Sequence, residues 1–179
     1  SLILPVLGRR GRWLAAQNPE WEYAAGGEGL DETTWETGSR GQRLAFLEAL
    51  RERDPARARE LLAASWPEEG REEATDFLAV FAQGLSAEDE PFLEAALDDR
   101  RKEVRRAAAD LLARLPQSQL RSRMIERLRP LLALKRGLLG ATRLEVTLPE
   151  ACDAAMARDG VEPKPSIPSL GQKAWWLAE

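Results

Sequence analysis

A chain of 179 residues has room for one domain with a real core, or for a short run of stacked helical units, and two separate domains would be a stretch. Apolar residues make up 44% and charged residues 31%, and no apolar run approaches the ~20 residues that span a bilayer, so a membrane-inserted class is not expected. Histidine is absent, which removes the commonest general base, zinc ligand and activator of a Ser or Cys nucleophile; no catalytic residue, metal or cofactor is expected.

The opening SLILPVL is apolar for seven positions and then meets Gly8, Arg9 and Arg10, which is not the order of a secretory signal. The first residue is not Met, and the last residues, KAWWLAE, read as a helical pattern cut in mid-course, so both ends are taken as boundaries within a longer protein. A single cysteine, Cys152, is read as a small buried residue; one thiol forms no internal disulfide, which fits a reducing, cytoplasmic setting.

In chain order, residues 6–17 read as a short helix and residues 18–41 as a long glycine-rich loop pinned by Trp21, Tyr23 and Trp35. Helical spacing is then strong. Residues 42–53 place Leu44, Phe46, Leu47 and Leu50 on a stripe, and Asp54-Pro55 supplies a cap followed by proline at the first helical position. A second helix runs to about Ser65, before Pro67, and a third covers 69–84 with Ala74, Phe77, Leu78 and Phe81 inward and Gly84 at its exit. Ser86 opens another, with Glu88, Asp89 and Glu90 in its first turn and Phe92, Leu93, Ala96 and Leu97 facing inward. The clearest helix follows Asp98-Asp99, because Val104, Ala107, Ala108, Leu111, Leu112 and Leu115 fall at i, i+3, i+4, i+7, i+8 and i+11 before Pro116. Residues 117–136 are predicted as one long helix burying Leu120, Met124, Leu128 and Leu131, kinked at Pro130. Leu144, Val146 and Leu148 alternate as in a strand, whose expected partner is the aromatic loop near Trp35 or a part of the protein beyond this chain. A short helix over 149–158 and a proline-rich irregular stretch follow. The expected organisation is 1–41 as helix and aromatic loop, 42–136 as helical repeats and 137–179 as an irregular end, all in one domain.

Self-comparison aligns FLEALRERDPARARELLAAS from Phe46 with FLEAALDDRRKEVRRAAADLLARL from Phe92, an offset of 46 residues, the period of HEAT-type and armadillo-type arrays. In the second copy Asp99, Val104, Arg105, Ala107, Ala108, Leu111 and Leu112 resemble the second half of a HEAT repeat. That resemblance implies an all-α fold, a HEAT-like α-α superhelix of antiparallel helix pairs, in which Asp99 and Arg105 form a structural turn pair and Asp99 caps the helix. The first copy departs from the pattern, with Ala58-Arg59 in place of Val-Arg. The whole chain, including GRRGRWLAAQNPEW and LSAEDEPFLEAALDDRRKEVRRAAADLLARLPQS, also resembles a bacterial family of unknown function with HEAT-like helices. Genes of that family tend to lie near those for MoxR-type AAA ATPases, von Willebrand A-like proteins and SWIM zinc-finger proteins. The resemblance therefore implies a multiprotein assembly in which an AAA ATPase or a von Willebrand A-like protein is the partner.

Charge is uneven: residues 45–99 hold 5 basic and 15 acidic side chains, whereas residues 100–136 hold 12 basic and 3 acidic. The bland account is oppositely charged helices facing each other through exposed pairs worth ~0–1 kcal/mol each. The functional account is a basic stripe, with Arg100, Arg101, Lys102, Arg106, Arg123 and Arg127 as partner-binding residues. Adjacent acids such as Asp98 and Asp99 are far more often caps than a catalytic pair. The reading is a non-enzymatic HEAT-like scaffold or protein-interaction module; the alternative is a helical-repeat protein that binds nucleic acid through the stripe.

Overall fold

The computed structural model describes residues 32–136, 142–165, 169 and 171–178. The expected helix over 6–17 and the anchors Trp21 and Tyr23 lie outside them. The described chain is mainly helical with one small two-stranded sheet, and it divides into two compact units, residues 1–85 and 86–179.

The first unit holds α1 (Glu32–Thr37), α2 (Arg40–Arg53), α3 (Pro55–Ser65) and α4 (Arg71–Val80). Two of these correct the long loop expected through Gly41: α1 is helical, and α2 begins two residues earlier than its apolar stripe. The reason is a reciprocal cap, in which Gln42 N–H donates to Ser39 Oγ and Ser39 N–H donates to Gln42 Oε1. Between α2 and α3 the chain spends one residue, Asp54, whose carboxylate accepts Arg57 N–H at 3.0 Å while Pro55 occupies the first helical position. Helices α3 and α4 both pack on α2, burying Phe46, Leu47, Leu50, Ala58, Leu62, Ala74, Phe77 and Leu78. Helix α4 stops four residues short of Gly84, which takes φ +60° in the exit turn.

Two arginines hold this core from inside. Arg43 lies 4.3 Å over the buried Trp35 ring and donates through both terminal nitrogens to Glu69, so Trp35 does anchor its segment. Arg51 is 1% exposed, sits 4.4 Å over Phe81, and donates to the carbonyls of Pro55, Gln83 and Gly84. One guanidinium thus ties the start of α3 to the exit turn of α4.

The second unit opens with a 3-10 turn, Ala87–Asp89, in which the fully buried Asp89 accepts Ser86 N–H, and continues into α5 (Glu90–Ala96), α6 (Lys102–Arg114) and α7 (Gln119–Leu128). Val104, Ala108, Leu111, Leu112 and Leu115 are buried as their spacing predicts, against Leu93, Ala96 and Leu97 of the α5 side. Helix α7 packs on α6 and is capped twice, since Ser118 Oγ accepts Arg121 N–H and Glu90 accepts Gln119 N–H. In the first unit, by contrast, α4 packs on α2.

The long helix predicted over 117–136 is not formed. Helix α7 ends at Leu128, a 3-10 turn spans Arg129–Leu131, and the chain leaves as strand β1 (Leu132–Arg136). Pro130 has no N–H to continue the helix and restricts the residue before it. Strand β2 (Thr142–Val146) pairs antiparallel with β1, Leu132 opposite Val146 and Leu134 opposite Leu144, so its partner is the neighbouring segment and not the loop near Trp35. Of the four residues expected to be buried in that helix only Leu120 is; Leu128 is exposed. Two short helices, α8 (Ala154–Arg158) and α9 (Gln172–Ala178), complete the unit, and Cys152 just before α8 is half-buried rather than buried. No helix among the described residues is long and apolar enough to cross a membrane.

Arg51→Met should lower the stability of the first unit by about 3 kcal/mol in urea unfolding, because three carbonyls in a closed turn lose a charged donor. Arg51→Lys, which keeps the charge but not the planar fork, should recover only part of that loss.

Candidate functional site

The corner after α5 separates its two acids. Asp99 carboxylate accepts from the backbone N–H of Arg101 at 2.8 Å and from its guanidinium at 2.9 and 2.7 Å. Arg105 does reach Asp99, but at the backbone carbonyl, 2.8 Å away. The expected turn pair is thus brought together through the main chain, and Asp99 is not the cap of α6, whose N-cap residue is Arg101. Asp98 turns instead to Arg158, 60 residues on, with contacts of 2.6 and 2.9 Å. The two carboxylates share no site.

The basic residues of the expected stripe do not act together. Arg100, Lys102 and Arg106 lie exposed at the start of α6. Arg123 and Arg127, one turn apart on α7, are both directed at Asp159, a carboxylate with 1% of its side chain exposed. Arg123 also bridges to Glu94 on α5, and Arg158 meets Glu94, Asp98 and Asp159. This cluster of Glu94, Asp98, Asp159, Arg123, Arg127 and Arg158 has no local signature, because its contacts between elements join residues 29 to 64 apart in sequence. Gly160, at φ +93°, follows Asp159; a Cβ there would lie 2.7 Å from Ala109 Cβ, so glycine lets the chain turn against α6.

Burial opposes ionisation of Asp159, but the hydrogen bonds and charges of Arg123 and Arg127 outweigh it and hold its carboxyl below the usual range. Arg158 lowers Asp98 in the same sense, and Arg101 lowers Asp99. Burial pushes the Cys152 thiol up, which leaves it a poor nucleophile.

Beyond this cluster the unit presents apolar surface. A groove of about 470 Å³ runs between α7 and α9, lined among others by Met124, Leu128, Leu131, Met156, Trp176 and Leu177, with Arg127, Glu150 and Asp153 as charged residues in its wall. Helix α9 forms its side because Trp175 and Trp176 donate their indole N–H groups to the carbonyls of Glu162 and Pro163. Leu128 belongs both to this groove and to a set of exposed apolar residues that continues through the hairpin. On one face of that hairpin stand Leu132, Leu134, Leu144 and Val146, exposed by 43, 76, 55 and 44%. The other face carries Ala133, Lys135, Arg143 and Glu145, with Lys135 paired to Glu145 at 2.6 Å. Sequence reading missed this surface because it assigned half of the hairpin to a helix.

A family model described as a family of unknown function, DUF5691, matches residues 1–179, and the chain belongs to that family. No curated protein and no solved structure matches it.

Two outcomes follow from the ion pairs. Each depressed carboxyl contributes stability that is complete above its unfolded value near ~4 and is lost as pH falls through its folded value. Urea midpoints should therefore drop on acidification below about pH 4, and Asp159→Asn should both cost about 3 kcal/mol at pH 7 and flatten that acid limb. In double-mutant cycles, Asp99→Ala with Arg101→Ala should show coupling of about 1 kcal/mol, whereas Asp99→Ala with Arg105→Ala should be near additive, since the carbonyl that Arg105 uses survives the substitution.

Proposed function

We propose that this family member is a non-enzymatic protein-interaction module that docks another protein on the apolar face of the β1–β2 hairpin and the adjoining outer side of α7. One observation carries the reading: Leu132, Leu134, Leu144 and Val146 form a contiguous exposed face on a two-stranded sheet. A lone hairpin of this kind is marginal in water, and a packed third layer or strand is what normally stabilises one. Exposed apolar patches of this sort mark interaction sites.

The HEAT-like part of the reading is supported by the helix trios, α2 to α4 and α5 to α7, in which the first two helices of each trio pack together at the 46-residue offset seen in the sequence. In this proposal helices α5 to α7 are the support and the hairpin is the contact. Nucleic-acid binding through the basic stripe is the weaker account, because Arg123 and Arg127 are engaged with Asp159.

The test is recovery of a stoichiometric protein partner with the full-length protein from its native cell, compared with Leu134→Asp/Leu144→Asp. Both leucines are exposed, so the double variant should keep its circular dichroism and lose no more than about 1 kcal/mol of stability. Loss of the partner from the folded variant is the expected result. Equal recovery would place the contact elsewhere, and salt-sensitive capture of oligonucleotides would favour the stripe.

A further inference from the structure

Resting on the docking reading above, we infer that the partner contributes an extended segment that adds as a third strand along the edge of β2 that no strand pairs among the described residues, with apolar side chains on the leucine face and acidic ones on the opposite face. The backbone geometry gives the first half of the argument. Thr147 N–H donates to Leu131 O at 2.8 Å, in register with the ladder in which Leu132 faces Val146. In an antiparallel pair, residues that exchange hydrogen bonds alternate with residues whose N–H and C=O point away. Counting from Leu131–Thr147, the inward pairs are Ala133–Glu145 and Lys135–Arg143, and the outward groups on β2 belong to Thr142, Leu144 and Val146. These are also the positions whose side chains share the apolar face. An incoming strand therefore makes its main-chain bonds beside Leu144 and Val146 and lays alternate side chains against them.

Charge selects the edge and the chemistry. On the opposite face Lys135 is already neutralised by Glu145, whereas Arg143 on β2 is exposed and forms no ion pair among the described residues. Arg136, the last residue of β1, is likewise exposed and without an ion pair among the described residues, on the leucine face. A strand added beside β2 brings its own outward side chain directly across from Arg143, where an acidic residue is favoured and a basic one is repelled. A second copy of this hairpin would bring a face of the same net positive charge, with Lys135 and Arg143 against one Glu145, to the edge, and a lipid surface would leave the edge amides unbonded.

The probe is a soluble, fluorescein-labelled nine-residue peptide alternating valine and glutamate, measured against its valine–lysine counterpart by anisotropy with the full chain at low salt. The glutamate peptide should bind at least about tenfold more tightly than the lysine peptide, and Arg143→Glu should reverse the order. Hydrogen exchange in the complex should slow at the amides of Thr142, Leu144 and Val146, leave those of Arg143 and Glu145 unchanged, and leave Leu132 and Leu134 exchanging freely. Leu144→Pro, which deletes one outward N–H, should abolish binding, whereas Leu144→Val should retain it. Equal binding of both peptides, absence of the alternating protection, concentration-dependent dimerisation blocked by Leu144→Asp, or binding to phosphatidylserine vesicles in place of the peptide would each overturn strand addition. If the cellular partner still depends on Leu134 and Leu144 while the outward amides stay unprotected, docking on the leucine face survives and strand addition alone falls.

Discussion

The second unit depends on one buried carboxylate. Asp159 is taken out of water in a segment with little regular structure, and such a charge is tolerated only where cations and donors replace its hydration. Arg123, Arg127 and Arg158 do so from two helices, and Glu94 and Asp98 on the α5 side balance the surplus positive charge. The consequence is mechanical: α8 and the turn at Gly160 are fixed against α5, α6 and α7, and the residues that follow, Val161 to Pro163, become the anchor on which the tryptophans of α9 hang. The groove between α7 and α9 exists because that chain of attachments holds its far wall in place.

The first unit solves a similar problem with a cation. Arg51 is as buried as any leucine beside it, yet its charge is met by three carbonyls and an aromatic face instead of a carboxylate. Both arrangements place a charged group where helices end and the backbone has unspent donors or acceptors. Surface pairs such as Arg57 with Glu32 add little by comparison, since water screens them.

Against this economy the hairpin stands out. Leu93, Leu97, Val104, Leu111, Leu112 and Leu115 are buried, while Ile125, Leu128, Leu148 and the four apolar residues of β1 and β2 face solvent, the last above a ladder of two strands. A core built by α5, α6 and α7 neither needs nor covers those leucines, so their energetic reason lies outside the described residues. The leucines stand on one face of the hairpin, and Arg143, which forms no ion pair among the described residues, stands on the other.

Helix identity was legible in the sequence wherever the code is local. The stripe of Val104, Ala108, Leu111 and Leu112, the cap and proline at Asp54-Pro55 and the exit at Gly84 each rest on residues within a few positions of one another, and the structure uses them as read. The early start of α2 was also written locally, in Ser39 and Gln42, and needed only the reciprocal cap to be recognised. The stretch around Pro130 was ambiguous for a physical reason: Leu128, Leu131, Leu132 and Leu134 satisfy a helical period and, in part, an alternating one, and only pairing with Thr142–Val146 decided for a strand. The partners of Asp98 and Asp159 lay beyond any sequence pattern, whereas that of the Asp99 carboxylate, Arg101, is two residues away. An ion pair is specified by distance in space, and the 60 residues between Asp98 and Arg158 are closed by helix packing, which is why tertiary structure alone tied Arg123 and Arg127 of the expected basic stripe into an internal lock and left the leucine face exposed.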